Sequence, residues 1–256
     1  MTNPLTVPAA VAIVVAGLAA GAVNSIVGSG SLITFPTLVA LGYPPVLANV
    51  SNTVGLVPGS ASAVAAYRPE LVGQRARLLR LGTASLLGGT TGALLLLALP
   101  GTVFERVVPV LILVAAGLMA VQPRLGPWVA ARGGTHPHGR LPLLAGVFLT
   151  GVYGGYFGAA QGVVLMALLA TFLDEHLQRC NAAKNVLAMV VNGVAGVIFI
   201  LVSHISWPVA GLIAAGSVVG GQLGGRFGRR LPEGVLRAVI VVGGVIVAVV
   251  LAVRWW

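Results

Sequence analysis

Charge is what this chain has least of. Only 8% of its 256 residues are charged, where a soluble globular domain carries about 25%. Acid is scarcest: five carboxylates stand against fifteen lysines and arginines. Glu70, Glu105, Asp174, Glu175 and Glu233 all fall in or beside the gaps between apolar runs. No carboxylate therefore lies deep in a span to relay protons or hold a cation. The single cysteine, Cys180, excludes an intramolecular disulfide and a cysteine-based metal site, and its expected role is that of a small apolar filler. Alternating segments of about 10 residues, the mark of a transmembrane barrel, are missing. So are a GxxxxGK[ST] phosphate loop and any nucleophile–base or metal-ligand pattern. Neither ATP use nor catalysis is expected, and no metal or cofactor.

What remains is apolar, at 57% of the residues. The apolar residues gather in runs at 9–41, 46–66, 78–99, 107–122, 141–173, 181–203, 207–225 and 235–253. Their scale is that of the roughly 20 residues with which a helix crosses a bilayer. The N-terminus lacks the positive flank of a cleaved signal peptide, so 9–27 is expected to be retained. Two runs are too long for one span, and small residues interrupt both: Gly28-Ser29-Gly30-Ser31 in the first, Gly154-Gly155 and Gly158-Ala159-Ala160-Gln161-Gly162 in the second. Glycine there lowers helix stability and frees the backbone to unwind.

The two halves repeat. Gly21 and Gly28 recur as Gly151 and Gly158, an offset of 130. After two inserted residues, Asn49, Gly88, Gly92 and Pro100 recur as Asn181, Gly220, Gly224 and Pro232, an offset of 132. Internal repeats of this kind mark many transporters. Arginine then sets the orientation. Arg68, Arg75, Arg77 and Arg80 crowd one loop, whose repeat mate near His204 to Ser206 has no lysine or arginine. The loop at Pro100 has only Arg106, while its mate holds Arg226, Arg229, Arg230 and Arg237. Positive loops prefer the cytoplasm, so mates are expected on opposite sides, provided each broken run enters and leaves by one face. The linker with Arg124, Arg132 and Arg140 then lies inside and both termini outside. Basic residues scattered in this way mark topology rather than nucleic-acid binding.

The expected fold is all-α: a polytopic transmembrane helical bundle of two inverted repeats, 1–122 and 141–256, joined by a cytoplasmic linker over 123–140. Each repeat opens with a broken, half-helix segment. Membrane lipid is the expected surrounding, in the bacterial inner membrane. Gly88 and Gly92, like Gly216, Gly220 and Gly224, have close-packing spacing, which would also suit a homodimer. His136 and His138 lie in the linker, where a metal site is not expected. Trp255 and Trp256 suit an interfacial anchor.

The broken runs are the first candidates for chemistry. Unwound backbone within a bilayer is tolerated only where protein buries it or a wet cavity adjoins it. A half-helix N-terminus presents free N–H groups and about half a positive charge, which suits an anion. Beside the breaks lie Asn24, Ser29, Gly30 and Ser31, then Tyr156 and Gln161. A second polar cluster opens the following run in each half: Asn49 and Asn52, then Asn181, Lys184 and Asn185. Lys184 is the only lysine in the chain, and it is either part of the site or a snorkelling interfacial residue beside Asp174 and Glu175. Asn192 sits at mid-membrane depth and either faces the site or bonds to another helix. These twelve residues are the candidate substrate contacts.

The run from Gly17 to Leu38, with Asn24-Ser25-Ile26-Val27-Gly28-Ser29-Gly30-Ser31 at its centre, resembles the first glycine-rich signature of the sulfite exporter TauE/SafE family. Gly151-Val-Tyr-Gly-Gly-Tyr-Phe-Gly-Ala-Ala-Gln-Gly162 resembles the second, with Ala159, Ala160 and Gln161 replacing part of the usual glycine run. The resemblance implies an inner-membrane permease that exports small sulfur-containing anions such as sulfite, sulfoacetate or related sulfonates. Matched residue by residue, it places Asn24, Ser29, Gly30 and Ser31 at the first signature and Gly158 and Gln161 at the second. The alternatives are a transporter of another small solute (a different anion or a metal cation) and a non-transporting membrane partner subunit.

Overall fold

The structure, a computed structural model, describes residues 5–130, 141–227 and 233–255. The first half of the chain forms α1 (Val7–Ile26), α2 (Ser31–Ala40), α3 (Pro45–Ala66), α4 (Arg75–Ala98) and α5 (Gly101–Ala130). The second forms α6 (Leu141–Tyr156), α7 (Gln161–Phe172), α8 (Leu177–Val202), α9 (Trp207–Phe227) and α10 (Glu233–Trp255). No strand occurs among the described residues. Five of these helices are long and apolar enough to cross a membrane, and the lipid-facing surface carries residues such as Val11, Val15, Leu87, Leu149 and Leu201. The chain is a multi-pass membrane protein. The expected linker differs in one respect: α5 runs to Ala130, past the apolar run that ends at 122. His136, His138 and Trp256 lie outside the described residues.

Both long runs are broken where glycine allows it. Gly28 has φ +89° and Gly158 φ +79°, a left-handed conformation that costs glycine nothing and other residues about 1–2 kcal/mol. Each turns its amide back to close the preceding helix, Gly28 N to Val23 O at 3.0 Å and Gly158 N to Tyr153 O at 3.2 Å. The chain resumes as α2 and α7 three residues later.

Packing follows small residues. Gly216 and Gly220 of α9 abut the Val14 and Leu18 carbonyls of α1, and Gly88 and Gly92 of α4 abut the Phe148 and Val152 carbonyls of α6. A Cβ at any of the four would collide with the facing backbone, so glycine sets these close approaches. The spacing that would suit a homodimer is thus occupied within one chain. In both pairs residue numbers rise together, so the paired helices run the same way. Each half lends its long first helix to the other. By contrast α3 and α8 run in opposite directions: Val57 meets Gly196 while Ser60 meets Asn192.

Two sets of contacts define the ends of the bundle. At one end Arg77 and Arg179 both reach Glu175, at 3.0 and 2.6 Å. There Gln74 and Arg179 also tie the α3–α4 turn to the start of α8, through Gln74 Nε2 to Arg179 O and Arg179 Nη1 to Val72 O, each 3.1 Å. At the other end Ser206 N donates to Ser51 Oγ at 3.0 Å, and Gly101 lies beside Val46. Between the ends Phe35, Phe104, Tyr156 and Phe157 pack edge to face, an arrangement favoured by the ring quadrupoles.

Candidate functional site

The two breaks touch. The Gly28 and Gly162 backbones lie so close that neither position has room for a Cβ, and Gly162 N donates to Gly28 O at 3.0 Å. Beside this crossing is a narrow cleft, open at its mouth. Asn24, Gly28 and Ser31 line it from the first break, and Gly158, Gln161 and Gly162 from the second. Ser60 and Ala63 of α3 and Asn185, Ala188 and Asn192 of α8 complete the wall. Ser31 and Gln161 are the first residues of α2 and α7, so both half-helix N-termini open on this space. None of its lining residues is charged.

The opposite helix ends are covered. Ser25 O, in the last turn of α1, accepts from Asn181 Nδ2 at 3.1 Å, Asn185 Nδ2 at 3.2 Å and Lys184 Nζ at 3.5 Å. Lys184 Nζ also donates to Asn24 O at 3.0 Å. At the end of α6, Tyr156 O accepts from Asn49 Nδ2 at 3.0 Å. Asn49 and Asn181 are repeat mates, so each half caps the other's broken helix. Donors to the last carbonyls of a helix offset the partial negative charge there, and an ammonium does so most strongly.

The sequence-predicted residues divide by place. Asn24, Ser31, Gln161, Asn185 and Asn192 line the cleft. Asn52, Asn181 and Lys184 stand behind it, with Asn52 Nδ2 reaching Ser31 Oγ at 3.3 Å and the other two bonded to the last carbonyls of α1, while Asn49 lies at the end of α6 on Tyr156 O. Ser29 and Gly30 sit inside the first break, Ser29 fully buried and Gly30 N bonded to Asn24 Oδ1 at 2.7 Å. Tyr156 is elsewhere: its ring packs on Phe104, because an aromatic face gains more from that cluster than from a polar cleft. Lys184 does not snorkel; it is 0% exposed and held by the α1 carbonyls. Several break amides expected to be open are used internally, among them Gly30 N, Gln161 N and Gly162 N. Several buried side-chain atoms have no hydrogen-bond partner: Gln161 Nε2, Ser29 Oγ, Ser85 Oγ and the amide oxygens of Asn49, Asn52 and Asn181.

Ser60 was not singled out by the sequence. It accepts from Asn192 Nδ2 at 3.4 Å, and the offset of 132 that relates the halves also relates Ser60 to Asn192. That offset was the available signal. Outside the spans, partial burial raises the Glu175 carboxyl. Hydrogen bonds and charge from Arg179 and Arg77 outweigh it and hold the carboxyl below its usual range. Among the described residues no group of three His, Cys, Asp or Glu could hold a metal ion.

The model of the sulfite exporter TauE/SafE family matches residues 13–251. A probable membrane transporter protein of Haemophilus influenzae is 27% identical over 226 residues, 88% of each chain. The probable membrane transporter protein ORF9 of a Sinorhizobium species is 28% identical over 244 residues, 94% of this chain and 89% of that one. The probable membrane transporter protein YfcA of Escherichia coli K12 is 28% identical over 226 residues, 87% of this chain and 82% of its own. No solved structure matches the chain. The chain belongs to the sulfite exporter TauE/SafE family, a family of membrane transporters and not enzymes.

Proposed function

We propose that this transporter exports a small sulfur-containing oxyanion, sulfite or a sulfonate, by alternating access. In this reading residues 1–122 and 141–256 are inverted halves that rock about the cleft where their breaks meet. One observation carries it. The negative ends of α1 and α6 are covered by donors from the opposite half, while the positive ends of α2 and α7 open on a cleft without carboxylates. The local field therefore favours an anion. Oxygen acceptors on sulfur suit the asparagine, glutamine and serine donors there. The inverted relation is supported by the two bundle ends. By its contacts α4 starts where α3 finishes and α9 starts where α3 begins, although α4 and α9 are repeat mates.

With no acid in the cleft, membrane potential is a sufficient driving force. Moving one negative charge out of an inside-negative cell releases about 2.3 kcal/mol per 100 mV, a gradient of roughly fiftyfold. The test is sulfite flux in proteoliposomes under an imposed potential. The expected result is flux that follows the potential and persists without proton or sodium gradients. Flux indifferent to potential but abolished when either gradient is removed would overturn this mechanism.

A further inference from the structure

We propose that Ala63 and Ala188 are specificity-determining residues of the cleft, their methyl side chains setting the largest anion it accepts. The inference rests on the anion reading above and narrows it by size. α3 and α8 run in opposite directions, and the space between them differs along their length. At one level Gly196 of α8 lies against Val57, and a Cβ there would sit 3.3 Å from Val57 Cγ2. One turn further along α3, Asn192 Nδ2 donates to Ser60 Oγ at 3.4 Å, so the two helices still touch. The next turn brings Ala63 and Ala188, and both line the cleft. Neither has an atom beyond Cβ with which to bridge the gap. The helix pair is thus closed on the side of Val57 and Gly196. It is open on the side where α3 leads to Arg68 and α8 begins around Arg179.

The walls have nothing to retreat into. Behind α3, a Cβ on Gly59 would meet Ser217 Cβ at 2.5 Å, and one on Gly221 would meet Gly59 O at 2.6 Å, so α9 backs this wall directly. Behind α8, a Cβ on Gly89 of α4 would meet Val194 Cγ1 at 2.9 Å and Val191 Cα at 3.1 Å. Helices packed this closely have little free volume in which to yield. The width open to an anion is therefore set by the side chains that face it, and at this level those are two methyl groups. Asn24, Ser31, Gln161 and Asn185 can meet the oxygens that all the candidate anions share. The alanines meet what differs among them, which is bulk. In a pocket with fixed walls one methylene gained or lost changes the preference by roughly tenfold or more.

The test measures flux of sulfite, ethanesulfonate and propane-1-sulfonate, at equal concentrations, in proteoliposomes. Each sulfonate rate is taken as a ratio to the sulfite rate of the same preparation, so the amount of folded protein cancels. Ala63→Val and Ala188→Val should each lower the ethanesulfonate ratio about tenfold. Ala188→Gly should raise the propane-1-sulfonate ratio by about the same factor. Ala61→Val, on the exposed face of α3, should leave both ratios at the wild-type value. Ratios unchanged in all three cleft variants, or shifted equally by Ala61→Val, would overturn this inference while sulfite flux sustained the anion reading. Wild-type protein that moved none of the three anions would overturn both.

Discussion

At the first break the Asn24 side chain accepts the Gly30 amide six residues on; at the second the Tyr153 hydroxyl donates to the Ala159 carbonyl six residues on. The backbones are alike, with left-handed glycines at matching places, but the bracing chemistry is opposite. At the offset of 130 Asn24 aligns with Gly154 and Ser31 with Gln161. The Gln161 amide occupies the space that a side chain at 154 would need. The long polar side chain thus stands before the break in one half and after it in the other. The first break gives up an amide donor to its brace and has the Lys184 charge behind it. The second gives up a carbonyl and keeps a free donor at Gln161 Nε2. The two breaks thus share a backbone geometry while charge and donor capacity are divided between them.

The largest expected effect separates the two glycines. At Gly28 an alanine would face both the left-handed φ and the Gly162 backbone, whereas at Gly158 the nearest atom is Gly154 O at 3.0 Å. Gly28→Ala should cost about 3 kcal/mol or abolish folding, and Gly158→Ala about 1–2 kcal/mol. Thermal unfolding in detergent measures both, and equal losses would show that the breaks do not depend on their crossing. Next come the caps. Lys184→Met removes the charge and should weaken anion affinity about tenfold in whatever protein folds. Asn49→Ala, which uncaps α6 instead of α1, should cost about 1 kcal/mol of stability with affinity unchanged. Isothermal titration with sulfite separates the two, and matching affinity losses would contradict the unequal division of charge. The braces give the smallest difference. Asn24→Ala and Tyr153→Phe should each cost about 1 kcal/mol, but only the former, which lines the cleft, should alter affinity. A loss of affinity in Tyr153→Phe would place that hydroxyl nearer the anion than its bond to Ala159 implies.

Much of this was legible before any coordinates. Glycine clusters inside overlong apolar runs marked both breaks because glycine is the residue that leaves a helix cheaply. Five of the twelve candidate residues line the cleft, and Asn52, Asn181 and Lys184 bond to residues in or beside its wall. The cross-capping was not legible. Asn49 meets Tyr156 and Lys184 meets Asn24 across more than a hundred residues, and no local pattern encodes such a pairing. Lys184 read equally well as an interfacial lysine, since its position at the start of an apolar run says nothing about which neighbour faces it. Tyr156 lies apart from the cleft for a related reason: its backbone carbonyl accepts from Asn49 and its ring packs on Phe104, and both are contacts distant in sequence. Ser60 was missed because serine at mid-helix is ordinarily satisfied by its own backbone, as Ser60 also is through Leu56 O.

The central claim is that an anion binds where the two breaks meet, and ligand-induced stabilisation of Gln161→Leu tests it most directly. Leucine keeps the bulk and removes a buried donor that has no partner in the free protein, so the variant should melt no lower than wild type. Sulfite should raise the melting temperature of the wild type as concentration increases and leave that of the variant nearly unmoved. An equal sulfite-dependent rise in both proteins would place the anion elsewhere and contradict the account.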